Sequence, residues 1–371
     1  MKFRKMWPVL GALCVAIFAD ANTQQQYGSH SSSDSMMHAE GSQSDRHGMY
    51  ERGTYREITP VAGPRVAHGA DIFACADFIW WNAVQQEPGY ATAGTFKLNT
   101  DDPSDPSRVY GLQGRGVRRY VAHDWAPGFK VGLGLNLCHD GWDLGARYIW
   151  LRPSNTGKTV FPTSDKPKQP GVVTSEWNLD FNVIDLGLGR NFYLSQYLTM
   201  RPFTGFKGTW HKQVFKTKTN LKGREAQSAK STYFASYPDT GSDNPSFREE
   251  MRTWGIGVRG GSDFAWHLSK EWSLYSCLAM TAMWTEYDRV EQTDVVNPKN
   301  VDALGRHYLI KNILEAEIGG RWEAWFSDDN YHLALQVGWE EQVWSNWIDR
   351  VDDGWADLTL HGLTLKLRFD F

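Results

Sequence analysis

FKVGLGLNL, residues 129–137, decides the fold. Val131, Leu133, Leu135 and Leu137 fall on one side of an extended chain, and Lys130, Gly132, Gly134 and Asn136 on the other. Successive strand side chains point to opposite faces, so this is a strand with one apolar face. His139-Asp140-Gly141 follows, with an Asp-Gly pair suited to a tight hairpin. The chain returns as WDLGARYIW, residues 142–150. Here Trp142, Leu144, Ala146, Tyr148 and Trp150 oppose Asp143, Gly145 and Arg147. A helix would set Leu144 beside Arg147 and destroy that segregation.

The pattern repeats outward from this hairpin. Trp177, Leu179, Phe181 and Val183 oppose Asn178, Asp180 and Asn182, and the phase changes at Ile184, which predicts a bulge. Met200, Thr204, Phe206 and Trp210 oppose Arg201, Phe203 and Lys207. Trp254, Ile256 and Val258 oppose Gly255, Gly257 and Arg259. Leu314, Ala316, Ile318, Trp322 and Ala324 oppose Glu315, Glu317, Arg321 and Glu323. Tyr331 to Trp339 opposes His332, Gln336 and Glu340, and Leu363 to Phe371 opposes Thr364, Lys366, Arg368 and Asp370. Ten strands are predicted, at about 70–82, 127–138, 142–152, 175–191, 198–213, 250–267, 272–287, 307–326, 331–345 and 357–371.

Short turns at 139–141, 193–196, 268–271 and 327–330 alternate with long polar links at 83–126, 153–174, 214–250, 288–306 and 345–356. Outer-membrane barrels have short periplasmic turns and long extracellular loops. The link 83–126 has room for another hairpin, so twelve strands is the alternative count. One-sided strands also occur in soluble sheets. Three features favour a closed antiparallel transmembrane β-barrel. The apolar faces begin and end in Trp or Tyr, as at Trp142 and Trp150, Trp272 and Trp284, and Tyr331 and Trp339. The opposite faces carry charge and glycine, as a polar interior does. Several strands reach the ~9–11 residues that a tilted crossing needs.

Composition agrees. The 371 residues hold 18 Trp and 35 Gly, too aromatic for a disordered chain. Mean hydropathy is -0.50, which excludes a bundle of apolar helices. A net charge of -4 argues against nucleic acid as a partner.

Residues 1–21 read as a signal peptide: Lys2, Arg4 and Lys5, then the apolar block Val9 to Phe18, then a cleavage motif at Ala19-Asp20-Ala21. Residues 22–65 are rich in Ser, Gln, Gly and His and are expected to form a flexible polar tail ahead of a barrel at 66–371. Their His and Met residues match no defined metal site, and neither a metal nor a cofactor is expected. Cys75, Cys138 and Cys277 leave one bridge, three thiols or an intermolecular bridge open.

The stretches VIDLGLGRNFYLSQYLTMRPFTGFKGTW (183–210), GIGVRGGSDFAWHLSKEWSLYSCLAM (255–280), YHLALQVGWEEQVWSNW (331–347) and LTLHGLTLKLRFDF (358–371) resemble the Legionella-type major outer membrane protein family. Similar proteins occur in environmental chlamydia-related bacteria. The resemblance is most specific at Arg201-Pro202 with Gly205, at Gly338-Trp339-Glu340 and at the closing strand. It implies an outer-membrane barrel of structural and porin-like role without enzymatic activity. Phe371, Phe369 and Leu367 resemble the C-terminal signal read by the barrel-assembly machinery.

If the charged face lines a lumen, Arg147, Arg201, Lys207, Arg259, Arg321, Lys366 and Arg368 supply its cations. Asp180, Asp185, Glu315, Glu317, Glu323 and Glu340, with Asp143 and Asp370, supply its anions. Opposed charges at a constriction would select among ions. Alternatively they pair and fill the interior, because a narrow barrel is close to filled by its own side chains. The inward glycines leave room, or else allow close packing. Two functions follow: porin-like passive diffusion of small polar solutes or ions, or a non-conducting structural or adhesive surface protein. Lysines and arginines around 214–250 suit phosphates of lipopolysaccharide, the expected partner beside outer-membrane lipid. A homo-oligomer is open, with no legible interface. A hydrolase is least supported: His307, Asp302, Asp349 and Asp352 share a region but no motif.

Overall fold

The computed structural model describes residues 62–64, 66, 71–85, 91–98, 110–137, 140–161, 171–219, 246–294, 301–351 and 354–371. Ala19, Ala21, the signal segment and nearly all of the tail lie outside these residues, as does Cys138. In chain order the strands are β1 (Ile72–Gln85), β2 (Ala91–Leu98), β3 (Tyr110–Arg119), β4 (Trp125–Asn136) and β5 (Trp142–Leu151). Then come β6 (Ser154–Phe161), β7 (Gly171–Arg190), β8 (Phe192–Tyr193), β9 (Leu198–Thr219) and β10 (Ser246–His267). The last are β11 (Trp272–Asp294), β12 (Val301–Leu304), β13 (His307–Phe326), β14 (Tyr331–Arg350) and β15 (Gly354–Asp370).

Ten of them close a ring. Each pairs antiparallel with two neighbours in the order β1-β4-β5-β7-β9-β10-β11-β13-β14-β15, and β15 pairs back onto β1 from Phe73↔Asp370 to Gln85↔Leu358. No edge of the ring is left unpaired, which a sheet in hydrocarbon requires because lipid offers backbone groups no partner. The link 83–126 does hold a hairpin, β2 with β3, but it forms its own two-stranded sheet, so the barrel has ten strands and not twelve. β6, β8 and β12 extend β7, β9 and β11.

Turn chemistry sets the short links. Asp140 and Gly141 both have left-handed backbones, at φ 53° and 72°, in the four-residue link closed by the Leu137 N–H bonding to the Trp142 carbonyl at 2.8 Å. Residues 194–197, 268–271 and 327–330 make the other short turns.

The outer wall is apolar: Phe129, Val131, Leu133, Phe206, Ile256, Val258, Leu278, Met280, Ile318 and Leu365 are exposed, as a surface against acyl chains would be. Aromatic rings bound this band at both ends. On the loop side Trp254, Trp284 and Tyr308 stack edge to face or flat, with ring centres 5.4 and 5.3 Å apart. On the turn side Tyr331, Phe369 and Phe371 form a second row. The barrel therefore crosses the membrane as a multi-pass span of strands.

One expectation fails here. β7 carries no bulge at Ile184; its pairing with β5 and β9 is regular throughout. Odd residues face inward all along β7, so Trp177, Leu179, Phe181 and Val183 lie inside the barrel and not on the lipid face. The apparent change of phase is a change in what the inner wall is made of. True irregularities occur where β10 meets β11, between Arg252 and Thr253, and where β14 meets β15, between Trp344 and Ile348.

Candidate functional site: a two-layered barrel interior

The interior divides by chemistry along the barrel axis. Toward the turns it is charged; toward the loops it is mainly aromatic and aliphatic, with one buried ion pair, Arg350 with Glu249, lying against Phe215. Inward positions of one strand record the switch: Trp177, Leu179, Phe181 and Val183 on β7 give way to Asp185.

In the charged layer, cations meet anions both across the interior, on strands that are not neighbours, and on adjacent or the same strands. Lys130 of β4 reaches Glu340 of β14 at 2.5 Å, and Lys366 reaches Glu317 at 2.5 Å. Lys207 of β9 sits 2.8 Å from both Asp185 and Glu315, and Arg259 grips the other oxygen of Glu315 at 2.6 Å. Arg201 forks onto Asp143 at 2.5 and 2.7 Å and donates to Asp263 at 2.8 Å. Arg368 pairs with Asp370, which also faces His332. Arg321 and Glu323 lie 3.7 Å apart near the turn end. Paired in this way, buried charges escape much of their desolvation cost.

Two charges in this layer are less well matched. Neither carboxylate oxygen of Asp77, a buried residue, has a hydrogen-bond partner. Arg147 makes no ion pair among the described residues.

Above lies an aromatic layer. Trp81, Phe181 and Trp344 are wholly buried, and Trp177 and Trp347 nearly so. His211 stacks on Phe181 at 4.4 Å and lies 5.0 Å from Trp344, whose ring is 4.7 Å from Trp347. Indole N–H groups tie the two layers together. Trp81 donates to Thr364, which donates to Glu340; Trp344 donates to Gln342, which donates to the same carboxylate. Glu340 is thus the node joining charge to aromatic packing, as buried indoles need acceptors.

Some inward glycines are covered by rings, while Gly187 faces open space. A Cβ at Gly134 would stand 2.2 Å from the Phe73 ring, and one at Gly338 would stand 2.4 Å from the Tyr275 hydroxyl. Here glycine makes room for an aromatic neighbour, a device that pins strands closely together.

The residues expected to face the interior are now placed. Arg147, Asp185, Arg201, Lys207, Arg259, Glu315, Glu317, Arg321, Glu323, Glu340, Lys366 and Arg368 share the inward parity of their strands. Asp180 does not. It sits on the outer wall, exposed, with Arg152 at 2.9 Å. The misreading came from taking the apolar face of β7 as the outer one. Asp77, Lys130 and Asp263 also face inward; Lys130 shares parity with Gly132 and Asp263 with Arg259, so alternation could have found those two, whereas β1 holds no other inward charge or glycine to announce Asp77. Cys75 and Cys277 are free thiols on the inner wall. Leu367 and Phe369 face outward, and Phe371 closes the β1–β15 seam through two backbone bonds with Ile72.

At the loop end, His307 lies with Nε2 2.9 Å from Asp349 and stacks on Tyr287, while its Nδ1 donates to the Gly305 carbonyl. Asp302 is exposed and pairs in register with Gln292, away from that contact; Asp352 lies outside the described residues. Among the described residues no group of three His, Cys, Asp or Glu is placed to hold a metal ion.

No curated protein matches the chain. Among solved structures it is similar to the outer membrane protease OmpT of Escherichia coli, at 9% identity and a TM-score of 0.47, over 82% of this chain and 98% of that one. It is also similar to a FadL homologue of Pseudomonas aeruginosa, at 11% identity and a TM-score of 0.30, over 81% and 90% of the two chains. The family model described as Legionella pneumophila major outer membrane protein precursor matches residues 71–371, the whole of the barrel. The chain therefore belongs to that family, and is an outer-membrane β-barrel protein.

Proposed function

We propose that the protein is a major structural barrel of the outer membrane with a narrow porin-like path for small ions and polar solutes, shut in this conformation by the aromatic layer. The supporting observation is the charged layer, where, among the described residues, the buried Asp77 carboxylate accepts no hydrogen bond and the half-buried Arg147 makes no contact ion pair. A purely structural interior gains nothing from holding the buried Asp77 carboxylate without a hydrogen bond, which costs several kcal/mol. An ion path gains sites that solutes can occupy and leave.

A second reading, a non-conducting scaffold, is favoured by the burial of Trp81, Phe181 and Trp344. An adhesive role rests on the loop cations Lys222, Arg224 and Lys230, which lie outside the described residues. No catalysis is part of this proposal. The closing strand, ending in Phe371, is proposed as the segment engaged by the barrel-assembly machinery.

Planar-bilayer recording tests the path. Small, infrequent steps are expected from the native barrel, and larger ones from Trp344→Ala or Phe181→Ala. Arg201→Glu should move the reversal potential toward cations. Silence from all of these proteins, with heat-modifiable folding intact, would discard the path and leave the scaffold.

A further inference from the structure

Just above the loop-side aromatic row, the outer wall turns from apolar to basic. Trp210 on β9 and Trp254 on β10 face outward, and the next outward positions toward the loops are Lys212 and Arg252. Arg248 follows on β10, and Arg289 on β11 completes the group. All four converge on one carboxylate. Glu250 receives Arg248 at 2.7 Å and Arg252 at 2.6 Å, with Lys212 at 3.5 Å and Arg289 at 4.0 Å. Arg289 also meets Glu291 at 3.3 Å. The Glu250 side chain is 7% exposed, yet the four cations remain 40–46% exposed. Four cations against two carboxylates leave a surplus of positive charge with open donors. Flanking charges are matched: Lys216 with Glu176, Arg152 with Asp180, and Arg306 with Glu286 and Asp288.

We propose that this patch binds the phosphorylated sugar head group of lipopolysaccharide, with the acyl chains lying on the apolar wall below Trp210, Trp254 and Trp284. Depth and charge both support it. Interfacial aromatics mark the level of lipid head groups, and cations immediately above them meet phosphate. Glu250 holds Arg248 and Arg252 fixed, so each presents its outer N–H edge without first losing freedom, and arginine forks suit phosphate oxygens. The opposite rim is built differently. Its turns carry Asp140, Glu271, Asp328 and Asp329 against Lys270 and Arg190, and Arg190 is taken by Asp140. Among the described residues the surplus cations therefore sit at the loop end, and that end faces the leaflet that carries lipopolysaccharide. The inference rests on the outer-membrane placement and not on conduction.

Native mass spectrometry of the detergent-purified full chain tests it, with diphosphoryl lipid A and its dephosphorylated form as probes. Preferential retention of the diphosphoryl form is expected. Lys212→Ala and Arg289→Ala, which leave the Arg248–Glu250–Arg252 group intact, should each weaken retention roughly fivefold. The triple variant with Arg252→Ala should abolish the preference, and Arg152→Ala should leave it unchanged. Heat-modifiability confirms that each variant is folded. Equal retention of both lipids, unaltered retention by the single variants, or competition by inorganic phosphate at lipid A concentrations would overturn the assignment. A barrel that binds lipid A but never conducts would remove the path proposed above and leave this site standing.

Discussion

Lys130 and Glu340 stand 210 residues apart in sequence and meet inside the barrel at 2.5 Å, with side chains 2% and 8% exposed. Lys130 also lies over the Trp81 ring at 4.6 Å. Removing one partner would strand a buried charge, so Lys130→Met is expected to cost about 3–5 kcal/mol. Replacing both, as Lys130→Met with Glu340→Leu, should recover most of that loss, less the cost of the indole-linked Thr364 and Gln342 that lose an acceptor. Urea unfolding in lipid vesicles, followed by tryptophan fluorescence, measures the cycle. Additive losses from the two single changes would show that the pair is not coupled.

The outer wall makes a separate prediction. Ile318 is 67% exposed on β13 and lies between the two aromatic rows. An arginine in mid-bilayer on the lipid face costs about 2–4 kcal/mol. Ile318→Arg should show that loss in vesicles, whereas Asp180→Arg, outside the band, should show much less. Equal losses at both sites would contradict the placement of the apolar band.

Much of this architecture was legible in the sequence because alternation repeats along every barrel strand, and turns such as Asp140-Gly141 punctuate it. All ten barrel strands were recoverable from it. What alternation cannot say is which face is inside. On most strands the charged face is inner, but the inner face of β7 begins with Trp177, Leu179, Phe181 and Val183, so polarity pointed the wrong way and put Asp180 in the interior. The aromatic layer was illegible for the same reason: buried Trp344 and lipid-facing Trp339 look alike in a sequence. Cross-barrel partners were also hidden. Asp185 faces Lys207 directly across the β7–β9 pairing, but nothing local to Lys207 announces Glu315, because only barrel closure brings β9 and β13 to one level.

The patch above the aromatic row should resist acid. Burial alone would raise the Glu250 carboxyl, but Arg248 and Arg252 overcome this and hold it down at about 2, against an ordinary value of 4.5. A depressed carboxyl adds stability that is fully present above the unfolded value and is lost as pH falls through the folded one. The gap in thermal midpoint between native protein and Glu250→Gln should therefore stay constant from neutral pH to about 5, narrow below 4.5 and close toward about 2. A gap that closed already near pH 5 would mean that the arginines do not hold this carboxylate.

Phe371 separates assembly from stability. Its N–H donates to the Ile72 carbonyl at 2.9 Å, and its carbonyl accepts the Ile72 N–H at 3.2 Å, closing the end of the β1–β15 seam. Its ring lies 5.9 Å from Phe369 on the lipid side. Losing two peripheral backbone bonds should cost about 1–3 kcal/mol, too little by itself to prevent folding of a closed ten-strand ring. If the terminal strand is read by the assembly machinery, deleting Phe371 should lower the yield of heat-modifiable barrel in cells several-fold while purified chain still refolds in detergent. A deficit of the same size in both settings would make Phe371 a seam residue and no signal, since detergent refolding involves no machinery to read it.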